Sequence, residues 1–295
     1  FAYSFDMLGE AAMTYEDANI YFQNYKDAIS VIGNSNSVKR HSISIKLSAL
    51  HPRYERNKLE LLEKELLPKL FELIEIAKIC KVDICLDAEE ADRLNLSLFL
   101  VSKILESNLI DANYYGFGIA VQAYQQRSIF VLEWLNNKLV NLDKKMNIRL
   151  VKGAYWDTEI KLAQANGLSN YPVYTKKFIT DLSYLKCAHI LFKSEKIFSQ
   201  FATHNAFTIS YVKQLFGTKP YEFQKLHGMG DEIYNHFIKN KEFNCRVYAP
   251  VGGYNDLLPY LVRRLLENGA NTSFIHQLNK KHVNVQELVQ SPLDK

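Results

Sequence analysis

Short runs rich in β-branched and aromatic residues alternate with longer segments of helical spacing along the whole chain of 295 residues. Such alternation predicts a parallel sheet with its connecting helices outside. We place the strands at Tyr3–Leu8, Ser42–Ser48, Asp83–Ala88, Gly116–Ala123, Asn147–Gly153, Phe201–His204, Tyr221–Leu226 and Cys245–Pro250. These units predict closure into a single-domain (βα)₈ barrel, a TIM-like α/β fold. An open doubly wound sheet is the alternative.

Two helical segments carry boundary signals. Thr14 can cap a helix over Tyr15–Ile32, with Asp17 at the capping-box position. Pro68 interrupts the periodic segment Leu59–Cys80 and predicts a kinked or double helix there.

Composition argues against several classes of function. Basic residues number 36 and acidic residues 32, and both are scattered, so we expect no nucleic-acid partner. The four cysteines lack C-x-x-C spacing and the eight histidines lack metal-ligand spacing, which favours a reducing cytoplasm and no metal site. No apolar stretch approaches the roughly 20 residues that span a bilayer, so we expect any membrane contact to be peripheral.

The chain begins at Phe1, close to the first predicted strand, without an initiator methionine. We therefore expect a piece of a longer polypeptide. Residues 1–276 would form the barrel, and residues 277–295 would form a polar tail or linker.

Polar residues crowd the predicted strand ends, where barrel enzymes place their reacting groups. They are Lys46, Asp87, Glu89, Glu90, Gln122, Arg149, Lys152, Thr203, His204, Asn205, Gln224 and Tyr248. Each buried polar group without a partner would cost about 1–3 kcal/mol, so a bound polar ligand is one economical explanation. Because three of these residues are cations, that ligand should be anionic or rich in acceptors.

Structural interpretations compete with this one. Asp87, Glu89 and Glu90 would suit a helix N-terminus, where carboxylates are favoured. Lys46 or Arg149 would reach the barrel rim if its aliphatic stem lay along the wall.

The last helical segment, Asp256–Asn268, has an apolar face opposite Tyr260, Arg263, Arg264 and Glu267. That pattern is typical of a surface helix with a solvated charged face. Adjacent arginines also suit a planar carboxylate, which guanidinium groups bind with two hydrogen bonds. Spacing alone does not decide between the two.

Four motifs resemble the proline dehydrogenase family, and within it the dehydrogenase domain of bifunctional bacterial proline utilization proteins. They are SIKLSALHPRY at Ser44–Tyr54, DAEEADR at Asp87–Arg93, IRLVKGAYW at Ile148–Trp156 and YLVRRLLENGANT at Tyr260–Thr272. The likeness extends in the same order from about Phe5 to Lys295. Val283–Leu288 resembles the start of a connection to an aldehyde dehydrogenase domain, so the resemblance implies fusion to such a domain.

The resemblance also implies chemistry. Members have a distorted (βα)₈ barrel that holds FAD without a covalent bond. They oxidise L-proline to Δ1-pyrroline-5-carboxylate by hydride transfer to the flavin N5, and electrons pass to a quinone. Lys46, Arg149 and Asp87 would be the catalytic residues, with Arg149 near N5 and Asp87 near substrate and flavin.

Further roles follow from the same resemblance. Lys46, Arg263 and Arg264 would clamp the proline carboxylate. The rest of the substrate pocket would be Tyr155, Leu226, Tyr248, Tyr260 and Glu10. The FAD contacts would be Asp87, Gln122, Arg149, Val151, Lys152, Gly153, Trp156, Thr203, His204, Asn205, Gln224 and Glu267.

Two other functions stay open at the level of single residues. One is a flavin-free lyase that forms a Schiff base through Lys46 or Lys152. The other is a barrel that binds a ligand without turnover. The long motifs favour the flavoenzyme.

Overall fold

Eight parallel strands close in chain order into a barrel, so the predicted (βα)₈ fold is confirmed and the open sheet is wrong. The computed structural model describes residues 1–35, 37–111, 114, 116–239, 243–253, 257–258, 260–262 and 291–292. The strands are β1 Ala2–Met7, β2 Ser42–Ile45, β3 Asp83–Leu86, β4 Phe117–Gln122, β5 Met146–Val151, β6 Ile197–Ala202, β7 Tyr221–Leu226 and β8 Asn244–Val251.

Two strand boundaries differ from the prediction by three residues or more. β2 ends at Ile45, because Lys46 is already the N-cap of a short helix. β6 begins at Ile197, before the predicted start at Phe201. Ser199 and Gln200 in its middle made it resemble a loop, yet both are buried.

Helices follow the strands around the outside. They are α1 Tyr15–Gly33, α2 Leu47–Leu50, α3 Leu59–Cys80, α4 Leu94–Glu106, α5 Ser128–Leu142, α6 Trp156–Ala165, α7 Lys177–Lys193, α8 Ala206–Phe216 and α9 Asp231–Lys239, with 3-10 turns at Arg56–Lys58 and Ala91–Arg93. The helix α3 runs through Pro68 as one element, so the double-helix form of the prediction is wrong. Residues 257–258 and 260–262 are helical, as predicted for the last segment.

The hydrophobic core lies between the strands and the helices. Ile43, Ile148 and Phe223 of the strands are fully buried in one cluster with Leu66 of α3 and Leu135 of α5. Alternation along each strand then turns the intervening side chains into the barrel.

The interior of the barrel is polar. Arg149 on β5 donates hydrogen bonds to Ser4 on β1 at 2.8 Å and to Ser44 on β2 at 3.0 Å. Because β5 neighbours neither strand in the ring, these bonds cross the barrel interior. Barrel interiors are usually filled by branched aliphatic side chains, so this one departs from the common pattern.

The capping box of α1 gives a direct test of the local sequence signal. The Thr14 hydroxyl accepts from the Asp17 N–H at 3.1 Å, and the Asp17 carboxylate accepts from the Thr14 N–H at 2.9 Å. We expect Thr14→Ala to lower the free energy of unfolding by about 1 kcal/mol, measured by urea denaturation. Thr14→Ser keeps the hydroxyl and should stay near wild type. Equal losses in both variants would contradict the capping role.

Candidate active site at the barrel mouth

Five side chains, each on a different strand or directly after it, form a charge network at the C-terminal end of the barrel: Asp6, Lys46, Asp87, Arg149 and Tyr248. The Lys46 ammonium pairs with the Asp6 carboxylate, and its Nζ lies 3.8 Å from Asp87 Oδ2. Arg149 Nη1 donates to Asp87 Oδ1 at 2.7 Å. The Tyr248 hydroxyl donates to Asp87 Oδ2 at 2.8 Å, and its ring centre lies 5.0 Å from the Arg149 guanidinium carbon.

Two carboxylates and two cations balance within this charge network. Burial alone would lower the pKa of Lys46, but the carboxylates of Asp6 and Asp87 outweigh burial and raise that pKa. Burial likewise opposes the charge of Arg149, but the neighbouring Asp87 carboxylate helps to raise its pKa as well. Both side chains are therefore cations at neutral pH.

The junction between β2 and α2 is anchored from two sides. The Lys46 N–H donates to the hydroxyl of the fully buried Tyr25 at 3.1 Å, and the Ser48 N–H donates to Glu89 Oε1 at 3.0 Å. Glu89 also accepts from Arg93 at 2.8 Å. Glu89 thus serves the N-terminus of α2, as the structural interpretation of the acidic motif proposed. Asp87 belongs instead to the charge network.

Internal pairing satisfies much of the polar ring that the sequence predicted. Gln122 Nε2, for example, donates to the Glu89 carbonyl at 2.8 Å. A ligand is therefore not needed to satisfy every member of that ring. Three buried atoms of that ring nevertheless have no hydrogen-bond partner among the described residues: Glu90 Oε2, Arg149 Nε and Gln224 Oε1. Glu90 Oε2 still lies 3.3 Å from the Arg93 guanidinium, whereas the Arg149 donor and the Gln224 acceptor would each cost about 1–3 kcal/mol if left unmatched.

The predicted residues after β6 shape the start of α8. Asn205 Oδ1 accepts from the Thr208 N–H at 2.9 Å, and Thr203 Oγ1 accepts from the Asn205 N–H at 3.1 Å. His204 Nε2 accepts from the Leu226 N–H at 3.2 Å, which places the proton of a neutral imidazole on Nδ1. The positive end of a helix dipole thus faces the barrel mouth, where it favours an anionic group.

The segment after β5, at the same end of the barrel as the charge network, is fixed by contacts of its own. Lys152 pairs with Asp181 of α7, which Lys177 also contacts at 2.8 Å. Gly153 has a φ of +133°, and an added Cβ would lie 2.5 Å from the Tyr124 ring, so only glycine fits there.

The other predicted residues are placed as follows. The indole N–H of Trp156 donates to the Tyr174 carbonyl at 3.0 Å. Val151 ends β5, Leu226 ends β7, Tyr155 precedes α6, Tyr260 is buried, and the half-buried Glu10 lies between β1 and α1. Three predicted residues lie outside the described part of the chain: Arg263, Arg264 and Glu267.

Sequence reasoning missed three members of the site: Ser4, Asp6 and Ser44. A signal was available, because Ser4 and Asp6 alternate with the aromatic and apolar residues of β1. The same period places Ser44 and Lys46 on one face of the β2 segment. Polar alternation in two neighbouring strands predicts a polar barrel interior.

Two broader features of the described residues bear on function. No helix there combines the length and apolarity that crossing a bilayer requires. The same residues contain no group of three His, Cys, Asp or Glu side chains able to hold a metal ion.

Sequence comparisons match the chain to known proteins. A family model described as proline dehydrogenase matches residues 1–277. "Bifunctional protein PutA" of Klebsiella aerogenes is 47% identical over 308 residues, covering 99% of this chain and 23% of that protein. "Proline dehydrogenase 1" of Bacillus subtilis is 26% identical over 275 residues, covering 92% of this chain and 79% of that protein. The chain thus spans about a quarter of the bifunctional relative.

Solved structures agree with these matches. Proline utilization A from Bradyrhizobium japonicum superposes with a TM-score of 0.95 at 47% identity, covering 99% of this chain and 31% of that one. The protein from Bdellovibrio bacteriovorus, solved as inactivated by N-propargylglycine, gives a TM-score of 0.92 at 29% identity, covering 99% of this chain and 32% of that one.

Burial of the Lys46–Asp6 pair predicts a large effect of breaking it. Asp6→Asn leaves Lys46 buried with only the more distant Asp87, and we expect the free energy of unfolding to fall by about 3 kcal/mol in urea denaturation. The matched control is Asp143→Asn, which breaks the pair with Lys196 at 2.5 Å. The Asp143 side chain is 91% exposed, so water screens that pair and the variant should resemble wild type. Similar losses in both variants would contradict the importance of burial.

Proposed function

Because the chain belongs to the proline dehydrogenase family, we propose that it oxidises L-proline to Δ1-pyrroline-5-carboxylate, the first step of proline catabolism to glutamate. The observation that carries the proposal is the charge network itself. It places two cations and a tyrosine at the C-terminal strand ends, and both cations, Lys46 and Arg149, stand in motifs that carry the family resemblance.

The residues at the mouth fit FAD as the cofactor. The unmatched donor of Arg149 and acceptor of Gln224 would both find partners on a heteroaromatic ring that has carbonyl, ring-nitrogen and N–H groups. The absence of a side chain at Gly153 and the N-terminus of α8 suit close approach of an anionic pyrophosphate. When bound, FAD would supply the two-electron acceptor at N5, and a quinone would reoxidise it.

Further residues would complete cofactor binding. Asp87 would hold Arg149 in place, since it accepts the short bond from Nη1. A fixed guanidinium would stabilise negative charge that develops on the ring. The additional contacts would come from Gln122, Val151, Lys152, Trp156, Thr203, His204, Asn205 and Glu267.

The substrate carboxylate would bind cations. An ammonium has three donors, and Lys46 uses one on Asp6, so it can offer another to a carboxylate at the mouth. Arg263 and Arg264 would complete the clamp from the last helical segment. Tyr155, Leu226, Tyr248 and Tyr260 would pack around the pyrrolidine ring and exclude water, while Glu10 would close over it.

The chain would work as one part of a larger protein. Its bifunctional relatives are about four times as long as the matched region, since that region is 23–24% of their length. We propose that residues 277–295 lead towards an aldehyde dehydrogenase domain, and that residues 1–276 form the flavin domain. The protein would be cytoplasmic and meet its quinone at the membrane surface.

The pairing of the two candidate lysines weighs against a Schiff-base lyase. A nucleophilic lysine must be neutral, and its pKa is then usually lowered. Lys46 has a raised pKa and a buried carboxylate partner. Lys152 pairs with Asp181. Neither lysine has the environment of an amine nucleophile.

An absorption spectrum tests the proposed function. The purified full-length protein should be yellow, and anaerobic addition of L-proline should bleach the visible absorption band of the oxidised flavin. D-proline is the matched control and should leave the band unchanged over the same time. A colourless protein, or a band that L-proline does not bleach, would rule out the proposal.

The carboxylate clamp predicts a binding defect. We expect Arg263→Ala and Arg264→Ala each to raise the KM for proline by a factor that corresponds to about 1.5–3 kcal/mol, because a charged hydrogen bond is lost. Arg53→Ala is the control, since the Arg53 side chain is exposed and its carboxylate neighbour Glu55 is 3.7 Å away. If neither clamp variant changes the KM, the assignment of these arginines is wrong.

A further inference from the structure

A second buried ion pair lies below the charge network, inside the barrel. Arg246 of β8 donates from Nε to Glu222 Oε1 of β7 at 2.6 Å and from Nη2 to Oε2 at 3.3 Å. Both side chains are less than a tenth exposed. Arg246 Nη1 also donates to the carbonyls of Tyr3 at 3.3 Å and Arg40 at 3.0 Å. These bonds tie the ion pair to β1 and to the segment that precedes β2.

Glu222 also determines how a neighbouring amide is oriented. Its Oε1 accepts from Gln224 Nε2 at 3.1 Å and from Gln200 Nε2 at 2.9 Å. A carboxylate can only accept hydrogen bonds, so the NH₂ group of Gln224 must face Glu222. The opposite flip would place Gln224 Oε1 against the carboxylate oxygen and lose this bond.

The fixed flip leaves the Gln224 oxygen available to a ligand. Gln224 Oε1 is buried and has no hydrogen-bond partner among the described residues. It lies on the interior face of β7, one interior position nearer the mouth than Glu222. An acceptor held in one orientation recognises an N–H or O–H donor and rejects a second acceptor.

We propose that Glu222 is a positioning residue for the cofactor: held by Arg246, it fixes the Gln224 amide so that Oε1 accepts a hydrogen bond from the bound flavin. The inference rests on the proposed function, because it takes FAD as the ligand. Glu222 itself does not touch the ligand and acts only through Gln224.

The first test separates Gln224 from a matched neighbour. The full-length protein is stripped of flavin and titrated with FAD, and the midpoint potential of the bound flavin is measured. Gln224→Leu should weaken FAD binding about 3- to 10-fold and shift the potential, because a neutral hydrogen bond is lost. Gln200→Leu removes a bond to the same carboxylate atom and should leave both quantities unchanged. Wild-type behaviour of Gln224→Leu would overturn the inference.

The second test reverses the flip. In Glu222→Arg/Arg246→Glu the ion pair is retained but residue 222 becomes a donor, so the Gln224 amide should turn its NH₂ group to the ligand. We expect FAD binding about 10-fold weaker or worse, and no further loss when Gln224→Leu is added, since the two changes act on one bond. Additive losses, or unchanged affinity in a folded exchange variant, would refute the positioning role.

If the exchange variant does not fold, a more conservative variant tests the same role of Glu222. In Glu222→Gln the Gln224 amide has two comparable orientations, so binding should weaken about 2-fold, and this loss should vanish in the Gln224→Leu background. Persistence of the loss in that background would contradict the inference. Failure of the wild-type protein to bind FAD would instead refute the proposed function, so the two failures are distinguishable.

Discussion

The hydrogen bonds of Arg149 hold the mouth of the barrel together. This one guanidinium reaches Asp87 after β3, Ser4 on β1 and Ser44 on β2 from its own place on β5. A charge in the interior of a fold is tolerated only where partners surround it, because its desolvation is otherwise too costly. Arg149 therefore needs the polar residues that alternate along β1 and β2. The same alternation brings Asp6 and Lys46 into contact.

The neutrality of the charge network shapes what the site can do. A mouth with unpaired cations would attract any anion, whereas here each cation already has a carboxylate partner. A ligand must then add contacts to a network that is stable without it. Such preorganised charges need little rearrangement during a reaction. Specific recognition depends on the few atoms left unmatched and on the apolar rings around them.

Strand–helix alternation was sufficient to predict the barrel, and strand-end positions were sufficient to find Lys46, Asp87, Arg149 and Tyr248. The pairing among these residues was beyond sequence reasoning, because alternation gives the face of a strand and not the strand across the barrel. The predicted start of β6 lies after the observed start for the same reason: Gln200 looks exposed until Glu222 is known to face it. The role of Glu89 at α2 also depends on a contact 41 residues away.

The polar lining of the barrel has a consequence for how this sequence can change over time. A barrel filled by aliphatic side chains tolerates gradual exchange of one methyl group for another. Charges held in mutual pairs allow no such gradual path, because each intermediate leaves one partner without its counterpart. Glu222 and Arg246 should therefore be substituted together or not at all. The interior lining of this barrel should diverge in sequence far more slowly than the apolar layer beneath its helices.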